Sequence, residues 1–139
     1  MKKVLTYKGA VMTWECDSNR HMNVMYYVNK FEHAGRNTNI YLGVDEVEGV
    51  ENLGVVVLEQ QIKYLREVFE DDLLYVESSL LGIGNKTFTM LHEMYNTQTK
   101  ELVSTMKIVL VHFDKDKRKA VPFPKDRKAI LLKAIEKDT

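Results

Sequence analysis

The chain has 139 residues, with 20 Lys and Arg against 20 Asp and Glu and hence no formal net charge at pH 7. That length fits one domain, residues 1–139, with a core of its own, and falls short of the usual size of two. A nucleic-acid duplex binder carries a large basic excess to displace counterions, so the charge balance argues against nucleic acid as a partner.

No apolar run approaches the about 20 residues of a membrane helix, and the opening MKKVLTYKGAV lacks a signal-peptide core. The single cysteine, Cys16, rules out an internal disulfide framework and agrees with a reducing compartment, so a cytoplasmic location is expected.

Residues 2–14 mix β-branched and aromatic side chains and read as a first strand, with Gly9 as a bend or bulge. A helix is predicted over 21–42. In it Val24, Tyr27, Val28, Phe31, Ala34 and Gly35 form an apolar stripe, with Asn29, Lys30, Glu32, Arg36 and Asn37 opposite. Gly35 costs such a helix roughly 1 kcal/mol against Ala, which points to close backbone packing on a sheet. Ser18 and Asn19 are read as its caps, with Asp17 near its positive end and Gly43 as its stop. Taken alone, Asp17 is a capping residue.

Residues 44–52, acidic and turn-rich, read as a surface connection. From Leu53 the period becomes two: Val56, Leu58, Gln60, Ile62 and Tyr64 share one face, and Val55, Val57, Glu59, Gln61 and Lys63 the other. Further strands are predicted at 73–83, 86–96 and 101–113, with Gly84 and Asn85 supplying the positive φ angles of a tight hairpin. Pro122 and Pro124 stop the sheet, and Ile130, Leu131, Ala134 and Ile135 mark a short amphipathic tail helix. The fold class is α+β: an antiparallel meander covering one helix, with apolar residues on both faces of 53–58 implying burial against another subunit.

The order of elements and the stretch CDSNRHMNVMYYVNKFEHAGR together resemble the hotdog-fold acyl-CoA thioesterases of the 4-hydroxybenzoyl-CoA thioesterase type. There a strand ends in Asp, and a loop close to D-x-x-G-H-x-N leads into the long central helix through a Tyr. Asp17, His21, Asn23 and Tyr27 stand at those places. FEHAGR, with Glu32, Ala34 and Arg36, is similar to the helix pattern F-x-E-x-A-R, and YLREVFEDDLLYVESSLLGIGNKTF to the second and third strands. Arg20 departs from the pattern, which has Gly there; a residue resisting positive φ implies a reshaped loop, or a side chain that meets substrate or a CoA phosphate.

The resemblance implies a dimeric or tetrameric hotdog protein that hydrolyses an acyl-CoA between subunits without metal or cofactor. Asp17 would attack the carbonyl or deprotonate water, and the amide near Val24 would receive the developing oxyanion. Asn23 would orient water or carbonyl, and His21 would assist proton transfer or close the loop. Tyr27, on the apolar stripe, reads as core beside the substrate, and Glu59 is a reserve carboxylate. Lys63, Arg66, Lys86, Lys117, Arg118 and Lys119 are the cations available for CoA phosphates. Cys16 points away from the Asp17 side of its strand, and His33, His92 and His112 lack metal-ligand spacing. A non-catalytic hotdog that binds an acyl-CoA is the rival reading.

Overall fold

The computed structural model describes residues 2–44 and 52–136. Strand β1 (Val4–Ala10) leads through a short 3-10 turn (Thr13–Glu15) to helix α1 (Val24–Leu42); β2 (Leu53–Tyr64), β3 (Leu73–Ile83), β4 (Thr87–Asn96) and β5 (Leu102–Asp114) follow, then β6 (Lys119–Ala120) and α2 (Lys125–Glu136). The predicted connection at 44–52 lies outside the described residues except at its ends.

The sheet is antiparallel throughout, but its order is β1-β3-β4-β5-β2, with β6 on β5. Only β3, β4 and β5 form a meander, which corrects the prediction that all four later strands do. Strand β2 crosses to the far edge and pairs β5 from Leu53 opposite Asp114 to Tyr64 opposite Ser104. Strand β1 closes the other edge on β3.

Helix α1 lies in the concavity, with its closest backbone contacts to β1, β3 and β4. Its inward stripe is Tyr27, Lys30, Phe31, Ala34, Thr38 and Leu42, packed on Leu74, Val76, Met90, Met94 and Met106. Val24 is instead exposed. The helix ends where Gly43 takes φ 72° and donates to the Asn39 and Ile40 carbonyls, the left-handed stop that glycine allows. Helix α2 covers β3 and touches α1, burying Leu131 and Ala134.

Three local expectations fail for physical reasons. Helix α1 starts at Val24 with Asn23 as its cap, so Ser18 and Asn19 lie in the preceding loop. Neither Gly84 nor Asn85 has positive φ; a Cβ at Gly84 would stand 2.9 Å from Thr87 Oγ1, so that hydroxyl would have to turn away to admit one. Strand β2 does not keep one alternation, since its register on β5 shifts between Val57 and Glu59. That bulge carries the helix-facing set from Val55 and Val57 to Ile62 and Tyr64.

Candidate active site

The segment between β1 and α1 closes on itself. Cys16 and Met22 form an isolated bridge, the Asp17 amide donates to the His21 carbonyl at 3.1 Å, and the Arg20 amide donates to the Asp17 carbonyl at 2.9 Å. Arg20 sits in this turn at φ 61°. The loop therefore keeps the backbone angle a glycine would take, against the expectation of a reshaped loop, at a cost to an L residue of about 1–2 kcal/mol. Its side chain is exposed.

Beneath the loop lies a buried ion pair. Lys30 Nζ reaches both Glu15 carboxylate oxygens, at 2.8 and 3.0 Å, and Glu15 Oε1 also accepts from the Met12 amide at 2.8 Å. Lys30 is 2% exposed, which corrects its placement on the polar side of the helix. Through Glu15, whose carbonyl accepts the Asn23 amide at 2.8 Å, the pair ties both ends of the Asp17 loop to α1.

Asp17 Oδ2 accepts from Asn23 Nδ2 at 3.0 Å and Oδ1 from the Asn19 amide at 2.9 Å. The Asn23 bond, and next the Asn19 bond, hold its carboxyl below the ordinary 3.8, because both donors favour the charged form. Asn23 Oδ1 in turn accepts from the Met25 amide at 3.0 Å, so one side chain both caps α1 and orients Asp17. The Tyr26 amide is taken by the Asn23 carbonyl at 2.9 Å. The Val24 amide has no partner among the described residues, and a free N–H at a helix start carries the positive end of the dipole.

His21 bridges two carboxylates, with Nδ1 at 3.2 Å from Glu67 and Nε2 at 3.7 Å from Asp17 Oδ1. It lines an open cleft of about 380 Å³ together with Val24, Tyr27, Tyr64, Leu65 and Arg66. Tyr27 and Tyr64 meet edge-on, ring centroids 5.0 Å apart. Burial pushes the Tyr27 phenol up to about 12, so it stays protonated.

Asp17, His21, Asn23, Val24, Tyr27 and Arg66 are thus brought together, with exposed Lys63 near the same end of β2. Arg66 pairs with Glu101 at 2.7 Å. Lys86, Lys117, Arg118 and Lys119 stand at the opposite end of the strands, the first three in the turns beyond β3 and β5 and Lys119 at the start of β6. Glu59 faces outward beside Gln61, Lys107 and Val109. Burial pushes the Cys16 thiol up, which suits a nucleophile poorly. His112 is tied to Arg127 of α2 at 3.2 Å.

Sequence reasoning missed Glu67, Tyr64 and Leu65, which reach the cleft through the end of β2. It also missed Lys30, although Tyr27, Lys30, Ala34 and Thr38 keep helical spacing and place the lysine on the inward stripe.

The sequence profile of the family described as "Thioesterase-like superfamily" matches residues 11–131. The betainyl-CoA thioesterase of Pseudomonas aeruginosa is 26% identical over 125 residues, 88% of this chain and 79% of that protein. Among solved structures, the DHNA-CoA thioesterase of Staphylococcus aureus superposes with a TM-score of 0.84 at 17% identity, covering 95% of this chain and 91% of that one. A variant of 4-hydroxybenzoyl-CoA thioesterase, solved with 4-hydroxybenzoyl-CoA, superposes at 0.82 and 17% identity, covering 94% and 99%. The chain belongs to the thioesterase-like superfamily, with a hotdog fold and the activity of a thioester hydrolase.

Proposed function

We propose that the protein hydrolyses an acyl-CoA at the cleft lined by His21, Val24 and Tyr27, with Asp17 behind His21. The observation that carries this reading is that Asn23 orients an ionised Asp17 carboxylate while capping α1 through the Met25 amide, with the Val24 amide beside it left without a partner among the described residues. Asp17 either attacks the thioester carbonyl or takes a proton from an attacking water. The new C–O bond forms as negative charge moves to the carbonyl oxygen, where the Val24 amide receives it. Collapse breaks the C–S bond and CoA leaves as the thiol; with Asp17 as base the acid is then free, whereas with Asp17 as nucleophile a mixed anhydride remains, which a water hydrolyses to the acid and the regenerated Asp17 carboxylate. His21, held by Glu67, is placed to move the proton.

The cleft offers an acyl group two tyrosine rings and the Glu67 carboxylate. A betainyl group, the cation named for the P. aeruginosa relative, would meet both kinds of partner. Arg66, which lines the cleft, and Lys63, near the same end of β2, are cations of this chain available there for CoA phosphates. Lys86, Lys117, Arg118 and Lys119 could serve only from another protomer, which accords with a homodimer or homotetramer. The outer edge of β2, unpaired among the described residues, supports that assembly. The lone cysteine accords with a cytoplasmic location.

A panel of acyl-CoA thioesters, followed by thiol release with the parent and Asp17→Asn, tests the reading. The variant is expected to lose about 10²–10⁴-fold in kcat. Full turnover by the variant removes Asp17 from the chemistry, and stoichiometric binding without turnover by the parent makes the protein a binder.

A further inference from the structure

A second cavity, of about 110 Å³, lies farther along α1, between the helix and strands β2, β4 and β5. Its walls mix the apolar Phe31, Met90, Met106 and Ile108 with Glu32, Arg36 and Asn39 of α1, and His92 reaches it from β4. His92 is 2% exposed. Its Nδ1 is 2.6 Å from Ser78 Oγ, Ser78 Oγ is 2.7 Å from Thr6 Oγ1, and Thr6 Oγ1 donates to the Val76 carbonyl at 3.3 Å.

The relay has two settings, because either hydroxyl can be the donor between Thr6 and Ser78. In the setting where Thr6 gives its one hydrogen to the Val76 carbonyl, which can only accept, Ser78 donates to Thr6 and its oxygen accepts from His92 Nδ1–H. Burial pushes the imidazole down to about 4, so it is neutral. In that setting His92 Nε2 is a bare acceptor, with no hydrogen-bond partner among the described residues.

Gly35 supplies an independent observation. It sits inside α1, where glycine is unfavourable relative to alanine. The nearest atom a Cβ would meet is His92 Nε2 at 3.9 Å, an ordinary contact. No backbone crowding requires the glycine, contrary to the close packing expected of it. Its missing side chain leaves open the space in front of Nε2.

We propose that this cavity is a binding pocket for a small uncharged hydrogen-bond donor, a hydroxyl or N–H group, which His92 Nε2 accepts and Gly35 admits. At roughly 30 Å³ per water-sized group, the pocket holds about four non-hydrogen atoms. The donor comes either from the far end of a long acyl chain or from a free small molecule. Val24 and Gly35 are about 16 Å apart at roughly 1.5 Å of helix per residue, so a short acyl group stops before reaching it. The acyl source rests on the thioesterase reading, whereas the pocket itself does not.

Long-range ¹H–¹⁵N spectra of the intact protein are expected to show His92 protonated at Nδ1. Titration with isopropanol should shift Nε2, while acetone, of the same size but without a donor, should not. Gly35→Ala should raise Tm by a few degrees and abolish the isopropanol shift. His92→Asn, whose side-chain amide can still donate to Ser78, should fold and show no preference for isopropanol over acetone in protein-side shifts around the pocket. A proton on Nε2, an equal response to both probes, or an unchanged response in Gly35→Ala overturns the proposal. Where isopropanol binds, a higher kcat/KM for a long ω-hydroxyacyl-CoA than for its unsubstituted counterpart, lost in Gly35→Ala, assigns the donor to the acyl chain. Equal values assign it to a free molecule. A protein that hydrolyses no thioester but still separates the two alcohol-sized probes refutes the enzymatic reading and leaves the pocket standing.

Discussion

At the scale of single residues, the site turns on Asn23, which serves the Asp17 carboxylate with one end of its amide and the Met25 N–H with the other. Replacing it with Ala removes the first cause of the lowered Asp17 value. The sign follows from which form is favoured: losing a donor to the carboxylate destabilises the charged form and raises its pKa. The acid limb of kcat/KM, expected below pH 3.8 in the parent, should therefore move up in Asn23→Ala, along with a capping loss of about 1 kcal/mol. The same linkage makes the Asp17 contribution to stability present above its unfolded value and lost as pH falls through the folded one. A pH–rate profile with the limb unmoved would separate Asn23 from Asp17. Arg20 offers the opposite case. Glycine relieves the φ of 61° but enlarges the unfolded ensemble, so Arg20→Gly should gain at most about 1 kcal/mol in denaturant unfolding. A loss would mean that the arginine side chain itself holds the loop.

At the scale of elements, the Asp17 loop is anchored less by its own turn than by Glu15 and Lys30 beneath it. With both partners almost wholly buried, Lys30→Met strands a carboxylate in the core, and a loss of about 3–5 kcal/mol is expected in urea unfolding. The activity of the folded fraction should fall too, because Glu15 also receives the Asn23 amide. An unchanged unfolding midpoint would show that water reaches Glu15. The apolar face of α1 was readable from Tyr27, Phe31 and Ala34, since a period of 3.6 is written in the side chains. The lysine between them was not, because periodicity sorts residues by polarity and cannot register a partner supplied from fifteen positions earlier, where Glu15 sits. Similarly, strict alternation located β2 but mis-sorted its faces, because a bulge at Leu58 depends on pairing with β5.

At the scale of the whole molecule, the sheet ends in a 12-residue strand, β2, which among the described residues is paired on one side only. Val56, Val57 and Leu58 there are 41%, 41% and 61% exposed, and a long apolar edge of this kind favours pairing with another chain. Leu58→Lys should change the stability of an isolated chain by no more than about 0.5 kcal/mol, yet should lower the molecular mass in sedimentation if β2 is where copies meet. A parent already sedimenting as a monomer would remove the intersubunit reading of the site.

What the sequence determined by itself was everything carried by short-range spacing: the long helix, the strands, the Gly43 stop, and the Asp17 to Tyr27 pattern that ties the chain to its superfamily. The tertiary structure alone decided which strand neighbours which, that Glu67 and Tyr64 join the cleft, and that Lys30 is buried. It likewise decided that His92 faces a cavity with a ring nitrogen that has no partner among the described residues. The physical reason is the same in each case. Local pattern reflects the backbone period and the polarity of one segment, whereas a register shift, a buried charge or a buried histidine's partners are set by groups from segments far apart in the chain that meet only when the sheet has closed around its helix.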